Sequence, residues 1–285
     1  FTFTVTSSNP SESDITGTIN TSDIASEAVA GSDYTAITGG TFTIAGDSTS
    51  TTDTFAVTVS DDNIVEDNEQ FNVNLSAAQF GGATDVTRAT FSSGTDQDVR
   101  GTIENNDTAV LSIADVSLAE DGTFTFTVTS SNPSESDITG TINTADIASE
   151  AAAGTDYTAI SGGTFTITGD SSDTSGTFAV TVNDDNIVED DETFNVNLSG
   201  AQFGGATDAS RTTFTGGDDQ AVGTIENNDT AVLSIADVSQ SEDGTFTFTV
   251  TSSNPSESDI TGTINTADIA SEAVAGTDYT AISGG

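Results

Sequence analysis

Thr123-Phe124-Thr125-Phe126-Thr127-Val128-Thr129 alternates without a break, apolar side chains on one face and threonines on the other. A strict period of two is the pattern of a half-buried β-strand, with its apolar side to a core and its hydroxyl side to water. The same heptad returns at residues 245–251, and the chain opens inside it at Phe1. Outward from the strand the repetition continues. TFTFTVTSSNPSESDITGTINT covers 123–144 and recurs at 245–266; DDNIVED starts at Asp61 and at Asp184; IENNDTAVLSIADVS starts at Ile103 and at Ile225. A period of about 120 residues is too long for a solenoid unit and fits a whole small domain. The predicted domains are 1–107, lacking its first strand, 108–229, complete, and 230–285, an N-terminal part. The reading is of a window cut from a longer array, with strand complementation between successive subunits as the rival.

The complete repeat predicts seven strands, lettered A to G: 109–116, 123–129, 138–144, 164–168, 178–182, one around Phe194, Val196 and Leu198, and 222–225. A loop at 145–158 carries a possible helical turn, and a Gly-rich excursion fills 201–219. Short alternating strands with turn signals between them give an all-β fold, a tandem series of immunoglobulin-like seven-stranded β-sandwiches. The expected core is Phe124, Phe126, Val128, Phe165, Ile167, Phe178, Val180, Phe194, Val196, Leu198 and Ile225.

The 285 residues hold 46 acidic and 3 basic side chains, a formal net charge of −43. Nothing can neutralise phosphates, so nucleic acid is excluded as a partner, and an anionic membrane surface with it. The segment shows no apolar run for membrane insertion. Cys and His are absent, which removes disulfides, thiolate ligands and the usual general base. Oxygen ligands remain in excess, and they suit hard cations such as Ca²⁺. A Thr- and Asp-rich chain of this kind reads as extracellular.

Loop parity sorts the acids. In an antiparallel sandwich the AB, CD and EF loops share one end with the end of strand G. Glu120 and Asp121 fall in the AB loop and Asp156 in the CD loop. Asp184, Asp185, Glu189, Asp190, Asp191 and Glu192 crowd the EF loop, and Asn227, Asn228 and Asp229 follow strand G. The opposite loops are mostly Ser, Thr, Gly and Asn, with Asp170, Asp173, Asp208, Asp218 and Asp219 among them. Convergent carboxylates would repel unless a cation with six to eight oxygen ligands held them.

An acid beside Gly in the AB loop, Gly154-Thr155-Asp156-Tyr157, and DDNIVEDDE from Asp184 together resemble the Calx-β family, over essentially the whole chain. The resemblance implies an immunoglobulin-like sandwich with Ca²⁺ at its loop tip. It also implies a ligand set: Asp156, Asp184, Asp185, the carbonyl of Ile187, Glu189 and Glu192, with Asp33, Asp61, Asp62, Ile64, Glu66 and Glu69 in the first repeat and Asp278 in the third. Glu120 and Glu242 match the AB-loop glutamate, one residue closer to Gly than the pattern. Where the family ends strand G in aspartates, this chain has Asn105-Asn106-Asp107 and Asn227-Asn228-Asp229, which implies fewer or weaker ions.

Asp107 and Asp229 run straight into the next strand A with no flexible linker. The expected function is a non-enzymatic, calcium-stiffened stalk, fibre or filament of a cell-surface adhesin-like protein. Its partners would be Ca²⁺, neighbouring repeats and, in filaments, further copies. A calcium-sensing regulatory module is the alternative. A carboxylate-pair hydrolase using Asp184 and Glu189, and a Thr-lined ice or carbohydrate surface, are weaker readings.

Overall fold

The structure, a computed structural model, describes every residue except Thr215, Gly217 and Asp218. Asp218, assigned by sequence to the FG loop, therefore lies outside the described residues. The first repeat holds β1 (Thr2–Thr6), β2 (Ile15–Asp23), β3 (Gly40–Ile44), β4 (Thr52–Ala56), β5 (Glu69–Phe80) and β6 (Gln97–Ile103). The second holds β7 (Ala109–Ile113), β8 (Val116–Ala119), β9 (Thr123–Ser130), β10 (Ile138–Asp146) and β11 (Ser161–Ile167), then β12 (Ser175–Thr181), β13 (Glu192–Phe203), β14 (Thr212–Phe214) and β15 (Gln220–Glu226). The last segment contributes β16 (Leu233–Ile235) paired with β17 (Val250–Ser252).

In the second repeat two sheets face each other, with strand orders β11-β10-β13-β15-β8 and β12-β9-β7-β14. The predicted alternation gives the inner faces. Phe124, Phe126, Val128, Phe165, Ile167, Val180, Phe194, Val196, Leu198 and Ile225 are buried, while Phe178 is half-buried and stacks on Phe126. Each fully buried Phe, Val or Leu contributes roughly 1.5–3 kcal/mol. In the first repeat β3-β2-β5-β6 faces the pair β1-β4 over an equivalent core centred on Phe71.

Nine strands replace the expected seven. Predicted strand A breaks after Ile113: β7 pairs with β9 and β14, and β8 crosses to run parallel to β15 in the other sheet. The break lies where the apolar phase slips, from Ala109, Leu111 and Ile113 to Val116. There Asp115 Oδ1 accepts the amide of Val222 at 2.8 Å. One strand serving both sheets covers an edge of each. The second addition, β14, lies in the Gly-rich excursion. The expected helical turn in 145–158 is a set of non-helical turns, with Ser149 at φ 66°.

Because β8 runs parallel to β15, the AB loop and the end of β15 meet the CD and EF loops at one pole. At that pole each repeat also touches the next. Val65, in the EF loop of the first repeat, is fully buried within the core cluster of the second. Its amide donates to Pro133 O at 2.9 Å, and its carbonyl accepts from Glu135 N at 3.1 Å. Val188 repeats the contact with Pro255 O and Glu257 N, both at 3.0 Å.

Candidate metal centre at the acid pole

The loops reach the pole through local rules that the sequence carries. In Gly154-Thr155-Asp156-Tyr157 the glycine takes φ 95°, a left-handed conformation that favours Gly. Gly31 and Gly276 do the same at φ 98° and 85°. The turn brings Asp156 Oδ2 back to Ala152 N at 2.7 Å. Tyr157 locks the loop from beneath. Its ring stacks on Phe194 at 4.4 Å, and its hydroxyl donates to Asp146 Oδ1 at 2.7 Å. In the EF loop Asp185 Oδ1 accepts Ile187 N at 2.6 Å, and Asp62 accepts Ile64 N at 2.8 Å.

Two acid groups result in the second repeat. One carboxylate oxygen from each of Glu120, Asp185 and Asp229 lies within 4.8 Å of the others, and the same holds for Asp156, Glu189 and Glu192. The three loops and the strand end thus converge, although they are distant in sequence. The first repeat gathers Asp33, Asp61, Asp62, Ile64, Glu66, Glu69, Asn105, Asn106 and Asp107 around one cleft.

Other predicted positions lie outside the two acid groups. Asp184 is exposed outside both groups, although its charge reaches Glu120. Ile187 is half-buried and lies outside the second repeat's cleft. Asn228 contributes its amide to Glu120 Oε1 at 3.0 Å, with its side chain exposed. Asn105 and Asn227 act as latches: their Oδ1 atoms accept the amides of Glu66 and Glu189, each at 3.1 Å. Glu242 and Asp278 are exposed and join no acid group among the described residues.

Electrostatics mark the pole. Burial first, then the charges of Asp62, Glu69, Asp33 and Glu135, push Glu66 up to about 7. Glu69 rises to about 7 through burial, then Asp33 and Glu135. Burial followed by Asp185 lifts Glu189 to about 7, and burial followed by Asp156 lifts Glu192 to about 7. Glu120, only 3 % exposed, is raised mainly by burial, against the opposing amide of Asn228. Two causes act together in these shifts, burial first and then repulsion from neighbouring carboxylates.

The donor set fits a hard cation. Every side-chain candidate in the two groups is a carboxylate, and Asp229 Oδ2 is buried without a hydrogen-bond partner. Among the described residues no ion pair reaches Glu120, Asp156, Asp185, Glu189, Glu192 or Asp229. A cation held by each group would supply the missing charge, and at Asp229 the missing partner.

Sequence reasoning missed five contributors. Glu150 Oε2 accepts both the amide and the hydroxyl of Thr193 at 3.0 Å, tying the CD loop to the start of β13. Val65 and Val188 belong to the EF motif, where each follows an isoleucine, and this apolar pair inside an acid run is the signal that part of the loop leaves the pole for the next repeat. Glu135 and Glu257 sit in the turn between B and C, at the opposite end of their own sandwich. They reach an acid pole only through the neighbouring repeat.

Among known families, the Calx-beta domain family matches at residues 1–98, 104–229 and 218–285. Among curated protein sequences none matches the chain. Similar solved structures include the apo-form Calx CBD1 domain, at 20% identity over 43% of this chain and 100% of that one, with a TM-score of 0.36. CBD12 from CALX1.2 is 15% identical over 79% and 93% of the two chains, with a TM-score of 0.37. The calcium binding domain CBD12 of CALX1.1 is 14% identical over 78% and 92%, with a TM-score of 0.33.

Proposed function

The chain belongs to the Calx-beta domain family, and from that premise we propose that its acid poles bind Ca²⁺ and stiffen the junctions of an extracellular, non-enzymatic stalk or fibre. The observation that carries the reading is the group Glu120, Asp185 and Asp229, whose buried oxygen on Asp229 lacks a partner. Family membership and the all-carboxylate donor set support calcium over other cations. Glu120, Asp185 and Asp229 would hold one ion, and Asp156, Glu189 and Glu192 a second. The cation would supply positive charge to bind the loops together. The residues themselves do the positioning: Gly154 and Tyr157 fix the CD loop, and Asn227 latches the EF loop to the end of β15.

The mechanical half of the proposal follows from place. The pole that gathers the acids is the pole at which the next repeat begins, with Asp107 and Asp229 leading directly into it. Without cations, a chain of net charge −43 repels itself at each junction. With them, the loops become a fixed platform for the next sandwich. Extracellular calcium modules work at about 10⁻⁴–10⁻³ M, so sites with few charged ligands would still fill outside the cell. Near-identical repeats suit a spacer of a cell-surface, adhesin-like protein, with lateral or end-to-end assembly into filaments as an extension.

Small-angle scattering of the chain in millimolar calcium and in chelator tests the stalk. A longer, stiffer particle in calcium is expected, and identical profiles would rule it out. The second reading is a calcium-sensing module that changes conformation. The burial of Val65 in the next repeat favours it, because a movement of the EF loop would be transmitted. A compact-to-extended change with a defined midpoint would identify the sensor.

A further inference from the structure

We propose that the Ser-Asn-Pro-Ser-Glu turn of each following repeat is the second half of the preceding repeat's cation site, so that a pole holds its ions tightly only while its neighbour is docked. The proposal rests on the calcium reading and adds its regulation. The turn occurs at residues 8–12, 131–135 and 253–257. In the second and third copies it lies against the EF loop of the repeat before it.

Three observations carry the proposal. First, the docking is the same at both junctions: one strand-like bridge, Val65 with Ser134 and Val188 with Ser256. Its hydrogen bonds flank the loop positions that carry Glu66 and Glu189. Second, the turn delivers a carboxylate. Glu135 Oε1 accepts the amide of Asp67 at 2.6 Å, and its charge acts on Glu66 and Glu69. Glu257 acts likewise on Glu189 and Glu192. Third, the turn reaches the inner group independently. Asn254 Nδ2 donates to Asp229 Oδ1 at 3.2 Å, while Oδ2 of the same carboxylate is the buried atom without a partner. One oxygen of Asp229 is thus oriented by the following repeat, and the other is left for a ligand beside Glu120 and Asp185.

A further acid brought against Asp33, Asp62, Glu66, Asp67 and Glu69 opposes docking when the pole is bare. With a cation present the same charge favours docking, because carboxylates from two repeats then share one positive centre. Occupancy and docking therefore reinforce each other, and by linkage each strengthens the other by the same factor. The Arg211–Asp67 ion pair adds one fixed positive charge at the first junction.

The test uses the full chain titrated with calcium chloride by calorimetry. In the variant carrying Glu135→Gln and Glu257→Gln the glutamine oxygen can still accept a hydrogen bond, so only charge is removed. One class of sites should weaken about tenfold, the scale on which ligand charge tunes such sites. Glu12→Gln, the same position in the first repeat, should leave the titration unchanged. If the double variant superimposes on the wild type, the shared site is overturned while calcium binding stands. If the wild type takes up no calcium, the calcium reading itself fails. Hydrogen exchange on the unmodified chain gives a second measure that needs no variant. Calcium should slow exchange at Val65 and Glu135 amides, and equal rates with calcium and chelator would also overturn the proposal.

Discussion

The two poles of the second sandwich both carry aspartates, and they use them in opposite ways. At the pole of the BC, DE and FG loops, Asp170 and Asp208 have donors of their own. Asp170 Oδ1 accepts the amides of Ser172 and Asp173 at 3.0 and 2.8 Å, and Asp208 Oδ1 accepts the amide and hydroxyl of Ser210. Those bonds hold both acids below the ordinary carboxylate range. At the acid pole, burial first and then the charges of neighbouring carboxylates push Glu189 and Glu192 the other way, to about 7. Acid content alone therefore says little. A carboxylate surrounded by local N–H and O–H donors is a staple, whereas carboxylates that converge from separate loops without counter-charge form a site.

The contrast between the poles breaks first under calcium. Saturation to a hundredfold above Kd should stabilise the fold by about 2.7 kcal/mol per site. Thermal melting with and without chelator reads this, and Asp185→Asn should remove the part of the second repeat's response that comes from the group of Glu120, Asp185 and Asp229. Equal melting temperatures in the wild type would place the acid pole with the staples.

Acidity is the next lever. The pole glutamates have folded pKa values raised above the unfolded ones, so without metal their ionisation opposes folding. Their contribution is complete below about 4.5 and is lost as pH rises toward 7. The metal-free chain should therefore melt at lower temperature at pH 8 than at pH 5. Calcium should reverse the trend, because ionised carboxylates bind it. A metal-free melting temperature that climbs across this window would show that the crowding is not felt.

Val65→Ala sharpens the contrast at the junction. The side chain belongs to the first repeat by sequence and to the second by packing. Truncation should destabilise the second repeat by about 2 kcal/mol, read as an earlier transition in calorimetry. Loss confined to the first repeat would contradict the packing. The smallest effect is expected at the opposite pole. Asp170→Ala should lower the melting temperature only slightly, because the carboxylate is exposed, and leave the calcium response untouched.

Much of this was legible in the chain. The alternation in Thr123 to Thr129 gives the buried face of β9, and loop parity places Glu120, Asp156 and Asp185 together because antiparallel strands leave no other choice. What escaped has a physical reason in each case. The split of strand A depends on a change of sheet, which only the one-residue phase slip at Asp115 betrays. Asn227 reads as a ligand from its chemistry, and its oxygen also accepts the amide of Glu189, a pairing set by tertiary approach. Glu135 and Val65 belong by sequence to their own repeats. Their partners lie across a junction, and nothing local in the sequence specifies that contact.

The central claim is that carboxylates from separate loops converge around a divalent ion. Anomalous diffraction from crystals grown in millimolar calcium tests it most directly. The account predicts peaks enclosed by Glu120, Asp185 and Asp229, and by Asp156, Glu189 and Glu192, with oxygen contacts near about 2.3–2.6 Å. Well-ordered side chains turned outward into solvent, with no density between them, would contradict it.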